Sequence, residues 1–530
     1  MRKYIKQQII SIVYTIKEAH MEVNKFIEQG EDINNLLTDI QAGAIQIGET
    51  IEKFEGQQTD IIKDLEEYCE LLWECSQSAD LAIIKSTFNK LVALFENIEK
   101  KIENDIKEEY IIAYFPYKAS MWDSMESIWI EANKDSRIKN YVIPIPYYDR
   151  NSDMTLGEFH YEGNQFDKRV DIYDWRYVNL ERIHPEAIII HNPYDDNNRV
   201  TSIHPNYYSK IIKKYCEMLV YVPYYVSIAD TSINLCTNTT SSNADKIYVS
   251  SDRINDIYKE AIKRIRGERL DKKEFRKIVT VGSPQVDKVN YYLENQDKIK
   301  YPDKWEKFIF DENGKKRGIV LYNSSLAELL NNPKKYLNDM SRLFHIFKDI
   351  SDLGLLWRPH PLLKSTFKSM LPQLYRVYIE LEKMYIDDEI GIYDDSPDLY
   401  RAIMLSDAYY GSKSSALLPL FGLTGKPILM SDNELTEEFT KSNIKTFEDN
   451  MVIFRDEKLY NPLLFRIPEY DKDTIGKFLE LVKMHQISEK QKEVFSDIFY
   501  KDISGKSAGK LIVEDILKSL ELGRGVFCDD

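Results

Sequence analysis

The chain has 530 residues, a formal net charge of −16, 43% hydrophobic and 30% charged residues, which predicts a soluble globular protein of two or three domains. The acidic balance argues against a broad nucleic-acid surface, and no apolar run approaches the ~18 residues that mark a membrane span. Five scattered cysteines (Cys69, Cys75, Cys216, Cys236, Cys528) contain no C-x-x-C pair, against a disulfide framework or a zinc site; Lys6, Gln7, Gln8 and Lys17 interrupt the N-terminal apolar residues, against a signal peptide, so a cytoplasmic location is expected.

Residues 1–106 read as an all-helical arm. Ile5, Ile9, Ile12, Ile16, Ala19, Val23 and Phe26 recur at 3–4 spacing, and the phase resumes from Ile33 to Phe54, Ile61 to Leu72 and Leu81 to Ile102. That rhythm is the seam of a coiled coil or helical bundle. It packs internally or joins copies of the chain, and Gly30, Gly56 and the Ser76–Asp80 stretch are the expected breaks. His20, on this stretch, is read as incidental.

From residue 107 the pattern alternates between strands and helices. Strands are expected at Tyr110–Phe115, Tyr141–Pro146, Ala187–His191, Met218–Val222, Lys246–Val249 and Ile278–Val281, giving a first Rossmann-like domain over 107–293. A charged linker spans 294–317. A second Rossmann-like domain covers 318–466, and residues 467–530 return to helix, with the last four fraying.

In the second domain Leu353–Trp357 is a short apolar strand. Pro359 and Pro361 stop it, which leaves Arg358 and His360 at its C-terminal end. Ala408–Tyr410 is another strand, followed by a turn and an apolar helix to Leu423. Ser414 and Ser415 fall at that helix start, where free N–H groups favour phosphate; Lys413 adds charge. Ligands of open α/β sheets bind at such strand ends. His360 is the catalytic candidate, as a donor to phosphate or leaving group, and Arg358 the phosphate clamp.

In the first domain three loops follow strands: Tyr117, Lys118, Trp122 and Asp123 in the first, Tyr147 in the second, and Tyr194 in the third. These aromatic and polar residues suit an acceptor cleft. His191 and Asp195 are the candidate bases, with Asp123 behind them and His160 and His204 in reserve. Asp195-Asp196 and Asp394-Asp395 are adjacent pairs whose side chains diverge on extended backbone, so no cofactor and no essential metal are expected. The chain has no P-loop and no G-x-S-x-G elbow.

The residues Arg358-Pro359-His360-Pro361, and Ser412-Lys413-Ser414-Ser415 before Lys426-Pro427, resemble the R-x-H-P and paired-serine motifs of the CDP-glycerol glycerophosphotransferase family, the teichoic-acid polymerases and their relatives. Gly282, in Val281–Asp287, and Ser325, in Leu321–Ser325, sit in weaker matches, and Asp398 resembles the family's D-x-Y segment or caps a helix. The resemblance spans roughly residues 111–430. It implies a GT-B fold, two Rossmann-like domains facing a cleft. It places Ser412, Lys413, Ser414, Ser415, Asp398, Ser325 and Gly282 around a donor.

The chain departs from the family at two points. Ser412 replaces an acidic residue, and Val220–Val226 lacks the W-H-G-T-P histidine that serves as the family's base.

The expectation is an α/β, GT-B-like transferase with an N-terminal helical arm. It would use a nucleotide-diphosphate donor, CDP-glycerol by resemblance, and act on a cell-surface glycan or lipid-linked acceptor at the inner face of the membrane. A nucleotide-sugar glycosyltransferase and a non-catalytic scaffold that keeps the fold are the alternatives.

Overall fold

The computed structural model describes residues 1–56, 59–226, 236–267, 272–323, 325–412, 415–431, 464–467, 482–484, 487 and 489–522. The chain forms two compact units: residues 1–111 with 135–139, and the remainder.

The first unit is built from four helices, α1 (Lys3–Gln29), α2 (Asn34–Glu55), α3 (Asp60–Gln77) and α4 (Leu81–Asn104). Gly30 and Gly56 end the first two with positive φ, and the Asp80 carboxylate caps α4 through the Ala82 N–H. Phe88, Leu91, Phe95, Ile98 and Ile102 are buried against Leu65, Tyr68 and Leu72 and the apolar faces of α1 and α2. The predicted seam is thus buried within the unit's own helices. It differs in phase on α1, where the buried row is Ile5, Ile9, Val13, Ile16, His20, Val23 and Ile27, while Ile12, Ala19 and Phe26 lie half-buried. Phe54 and Leu81, at helix ends, are exposed. His20 is a core residue. Its Nε2 lies 2.6 Å from the Tyr68 hydroxyl, and its ring meets Phe88 and Phe95 edge-on.

The second unit carries two six-stranded sheets, except for the first two residues of two of the strands, which fall in the first unit. In chain order the strands are β1 (Tyr110–Phe115), β2 (Ile138–Val142), β3 (Tyr147–Arg150), β4 (Leu156–His160), β5 (Ala187–Ile190), β6 (Thr201–Ile203), β7 (Met218–Tyr221), β8 (Lys246–Val249), β9 (Ile278–Thr280), β10 (Gly318–Asn323), β11 (Leu353–Trp357), β12 (Ile392–Tyr393), β13 (Ala408–Ser412), β14 (Ile428–Ser431) and β15 (Leu464–Ile467).

The first sheet has the order β2-β1-β5-β7-β8-β9, with parallel pairing from β1 through β9. The second is wholly parallel in the order β12-β11-β10-β13-β14-β15. It is the doubly wound order in which the direction of winding reverses beside the first strand. Fully buried runs such as Leu353–Trp357 and Gly318–Asn323 are what a sheet covered on both faces requires. These two Rossmann-like sheets in one unit are the GT-B-like architecture.

A third sheet, β4-β3-β6, is antiparallel and was not legible as such. The expected strand Tyr141–Pro146 is split by Pro144 and Pro146, which end β2 and start β3 afresh. Within the segment 294–317, expected as a charged linker, Trp305 and Ile309 are buried.

Near the C-terminus the helix Ala508–Leu522 packs on the helix Asp123–Ala132 of the first sheet. The Asp287 carboxylate accepts from the N–H groups of Ala508 and Gly509, and Asp515 accepts from Lys246 and the Tyr248 hydroxyl.

Candidate functional site

The two Rossmann-like halves are joined where Tyr400 donates to Asp123, after β1, and Ser365, in the helix after β11, donates to Asp149. From the first sheet, β1 runs into Pro116, Tyr117 and Lys118. Lys118 is buried, and its Nζ donates to the Tyr147 hydroxyl at 2.6 Å and lies 3.4 Å from Glu162 Oε1. Tyr147 in turn donates to Glu162 Oε1 at 2.6 Å, and Glu162 Oε2 accepts from the Ala119 N–H at 2.8 Å. Burial lowers the Lys118 pKa, opposed by the Glu162 charge.

From the second sheet, β11 runs into Arg358, Pro359 and His360. His360 Nδ1 accepts from the Leu362 N–H at 3.1 Å. The ring proton therefore sits on Nε2, which is left as a donor. Burial, and then the nearby Lys118 charge, push the His360 pKa down to about 4. At neutral pH this is a neutral imidazole, and the Lys118 charge that contributes to its shift comes from the opposite sheet.

The helix that follows, Leu363–Met370, lies against β3. The Ser365 hydroxyl donates to Asp149 Oδ1 at 3.2 Å, and Lys368 Nζ is 3.6 Å from Glu158. Asp149 Oδ2 is 3.2 Å from His160 Nε2, and the His160 ring stacks on Tyr147. Tyr147 and Asp149 alternate on β3, as Glu158 and His160 do on β4, so one face of the small sheet presents all four. Asp149, Glu158 and Glu162 were not among the expected site residues, and the two-residue alternation was the signal that could have grouped the first two with Tyr147 and His160.

Several expected site residues are engaged elsewhere. Arg358 is buried. Its guanidinium forms a close ion pair with Asp394 and donates to the carbonyls of Ser396 at 2.6 Å and Asp398 at 3.4 Å. It is held inside the second domain, not presented as a phosphate clamp.

His191 is fully buried. Nε2 accepts from the Tyr117 N–H at 3.3 Å, and Nδ1 faces the Met121 carbonyl and the Ser124 hydroxyl, which itself donates to that carbonyl. Burial pushes its pKa down to about 3. Both nitrogens are occupied, so the expected base role gives way to bracing the loop after β1.

Asp195, at φ 47°, accepts from the N–H and hydroxyl of Ser209. Burial raises its pKa. It caps the helix Ser209–Ile212, and that is the physical reason it is not the base.

Asp123 joins the two halves rather than lining an open acceptor site. Its Oδ2 accepts from the Tyr400 hydroxyl at 2.9 Å and from Gln285 Nε2 at 3.2 Å, while Oδ1 is buried without a partner. Burial pushes its pKa up to about 6. Trp122 is buried against Tyr114, Trp129 and Phe166, Tyr117 packs edge-on to Tyr147, and Tyr194 is half-buried beside Tyr224.

Of the expected donor residues, Ser415 donates to Asn323 Oδ1 at 2.6 Å and accepts from the Leu417 N–H. Ser412 is buried, and its carbonyl accepts from Tyr409 and Ser415. Asp398 caps the helix Leu399–Leu405, and Ser325 caps the helix Leu326–Asn331. Gly282, at φ 89°, lies where an added Cβ would stand 3.0 Å from the Tyr500 carbonyl. It makes room for the returning C-terminal segment, not for a donor. Lys413 and Ser414 lie outside the described residues.

No known family model matches the chain, and no curated protein is similar to it. The resemblance to the CDP-glycerol glycerophosphotransferases therefore stands on the quoted motifs alone. Among solved structures the chain is weakly similar to the UDP-GlcNAc 2-epimerase of Methanocaldococcus jannaschii (11% identity, 77% of this chain and 99% of that one, TM-score 0.42). It is similar at the same level to the S. aureus MnaA–UDP complex (12%, 78% and 97%, 0.42) and more weakly to the lipopolysaccharide outer core galactosyltransferase WaaB (13%, 77% and 99%, 0.31).

Proposed function

We propose that the chain is a transferase that takes its group from a nucleotide-diphosphate donor, a nucleoside diphosphate carrying a sugar or a polyol phosphate, bound where the two sheets meet. Support comes from one observation: Lys118 and His360 each follow a strand of opposite sheets, in halves joined by the Ser365–Asp149 hydrogen bond, and the lysine charge adds to the lowering of the histidine pKa. A lysine ammonium and a neutral Nε2–H donor suit a diphosphate leaving group, whose growing negative charge they stabilise. His360 with its pKa near 4 acts by hydrogen bonding at neutral pH, not as a cation. The acceptor, in keeping with a cell-surface glycan or its lipid-linked precursor, would approach from the Tyr147 side.

A thermal-shift panel of UDP, CDP, GDP and ADP tests the assignment. A nucleotide at ~100 times its dissociation constant stabilises the protein by about 2.7 kcal/mol. At least one nucleotide should raise the melting temperature, and Lys118→Met should remove most of that rise. Millimolar nucleotides that leave the transition unmoved refute it.

A further inference from the structure

With His191 and Asp195 engaged elsewhere, the transfer lacks its two expected proton acceptors, and His160, held in reserve, is left to consider. We propose that His160 is the general base that takes the acceptor's proton, with Asp149 as the residue that positions it. The proposal rests on the donor assignment above and adds to it the acceptor side of the same cleft.

Three observations carry it. His160 Nε2 has almost no exposed surface and lies 3.2 Å from Asp149 Oδ2, an ion-pair distance not aligned as a hydrogen bond. The ring as a whole is half-buried. Catalytic hydrogen bonds are often misaligned before the ligand binds. Next, the His160 ring stacks on Tyr147 with centroids 5.0 Å apart, and the Tyr147 hydroxyl holds Lys118. The base is thereby tied to the group that meets the diphosphate. Last, Asp149 also accepts from Ser365, five residues beyond His360 on the opposite half. The carboxylate of the dyad is thus held by a hydroxyl from the opposite half.

The step balances as follows. The acceptor hydroxyl gives its proton to His160 Nδ1. Its oxygen forms a bond to the transferred phosphorus or anomeric carbon. The bond from that atom to the nucleotide's phosphate oxygen breaks, and the electron pair leaves with the nucleotide, stabilised by Lys118 and His360 Nε2–H. The charged and titratable groups facing the imidazole are Asp149 and Tyr147 from β3, Glu158 from β4, and Lys368 from the helix Leu363–Met370, with Lys118 and Glu162 beyond Tyr147.

Asp149, Glu158 and His160 present ligand atoms within 4.8 Å of one another, so a divalent cation is the rival occupant and the test includes it. The experiment measures nucleotide release from UDP-N-acetylglucosamine and CDP-glycerol with water as acceptor, between pH 5 and 9. It uses the unaltered chain, His160→Gln, His160→Gly and Asp149→Asn, with UDP and CDP binding and thermal unfolding measured alongside. His160→Gln should lower turnover by roughly 10²–10⁴-fold and leave nucleotide binding within about threefold. Imidazole in solution should restore part of the His160→Gly activity, which a merely structural histidine does not allow. Asp149→Asn should give a smaller loss at unchanged binding.

Unchanged turnover in His160→Gln overturns the base while the donor assignment stands. Stoichiometric Mn²⁺ or Zn²⁺ binding to the unaltered chain, abolished in His160→Gln, overturns it in favour of a cation site. A chain that binds nucleotide and never releases product overturns the base and the transfer together. A chain that binds no nucleotide overturns the donor assignment itself, and the base with it.

Discussion

Asp123→Asn isolates the cost of the buried carboxylate between the two halves. The group is 5% exposed, with Tyr400 and Gln285 on one oxygen and nothing on the other. Lys288, ion-paired to Glu126, lies nearby and offsets only part of the burial penalty. Its pKa moves from 3.8 to about 6, and at 1.36 kcal/mol per pKa unit the gap is worth about 3 kcal/mol. The sign follows from where the proton is held. The native state binds it more tightly than the unfolded chain, so the contribution to stability is fully present below pH 3.8 and is lost as pH rises through about 6. Asparagine keeps the acceptor for Tyr400 and carries no charge. Urea unfolding at pH 4, 5, 6, 7 and 8 should therefore find the variant near the unaltered chain at pH 4 and up to about 3 kcal/mol more stable at pH 8. A difference that stays constant across this range, or a variant less stable at pH 8, would refute the placement of this carboxylate.

Two further outcomes follow from buried charges. Arg358→Ala leaves Asp394 buried without its ion-pair partner, and stability should fall by about 3–5 kcal/mol; a variant that unfolds normally but loses nucleotide binding would instead restore the phosphate-clamp role. In the helical unit, burial pushes the His20 pKa down to about 4 from 6.5, so its contribution is present above pH 6.5 and lost as pH falls through about 4. His20→Gln should flatten the acid limb of helix melting followed by circular dichroism below pH 6, and an unchanged limb would place the acid sensitivity elsewhere.

The strands of both parallel sheets were legible because burial on two faces leaves short, unbroken apolar runs. Ile188–Ile190 and Leu353–Trp357 have no competing period. The helical seam was legible in kind but not in phase. Ile12 and Phe26 outrank His20 on any hydropathy scale, and only the Tyr68 hydroxyl and the rings of Phe88 and Phe95 make a buried imidazole acceptable at that position. The antiparallel sheet was lost because Tyr147–Arg150 and Leu156–His160 alternate polar and aromatic residues, a pattern that also describes a loop. Polar side chains at strand ends were the least legible. Sequence places His191 and His360 alike, each just past a parallel strand. What separates them is tertiary: Tyr117 and Met121 occupy both nitrogens of one, while Leu362 occupies a single nitrogen of the other.

The Arg358–Pro361 turn shows how one motif divides its labour. Asn323, at the end of β10, donates to the Arg358 carbonyl and accepts from the Ser415 hydroxyl. The ends of β10 and β11 are thereby tied to the turn after β13, in one plane of hydrogen bonds. The Arg358 guanidinium then fastens the segment after β12 through Asp394, Ser396 and Asp398. All of these bonds face into the second half, and they fix the backbone from which His360 projects. Proline on either side of His360 removes two N–H donors that a strand end would otherwise have to satisfy. The Leu362 N–H is left to take His360 Nδ1 and so set the tautomer. A motif that looks from sequence like two phosphate ligands divides here into one residue that builds the turn and one with a free Nε2–H donor. A change at Arg358 should accordingly reach the cleft only through the position of His360.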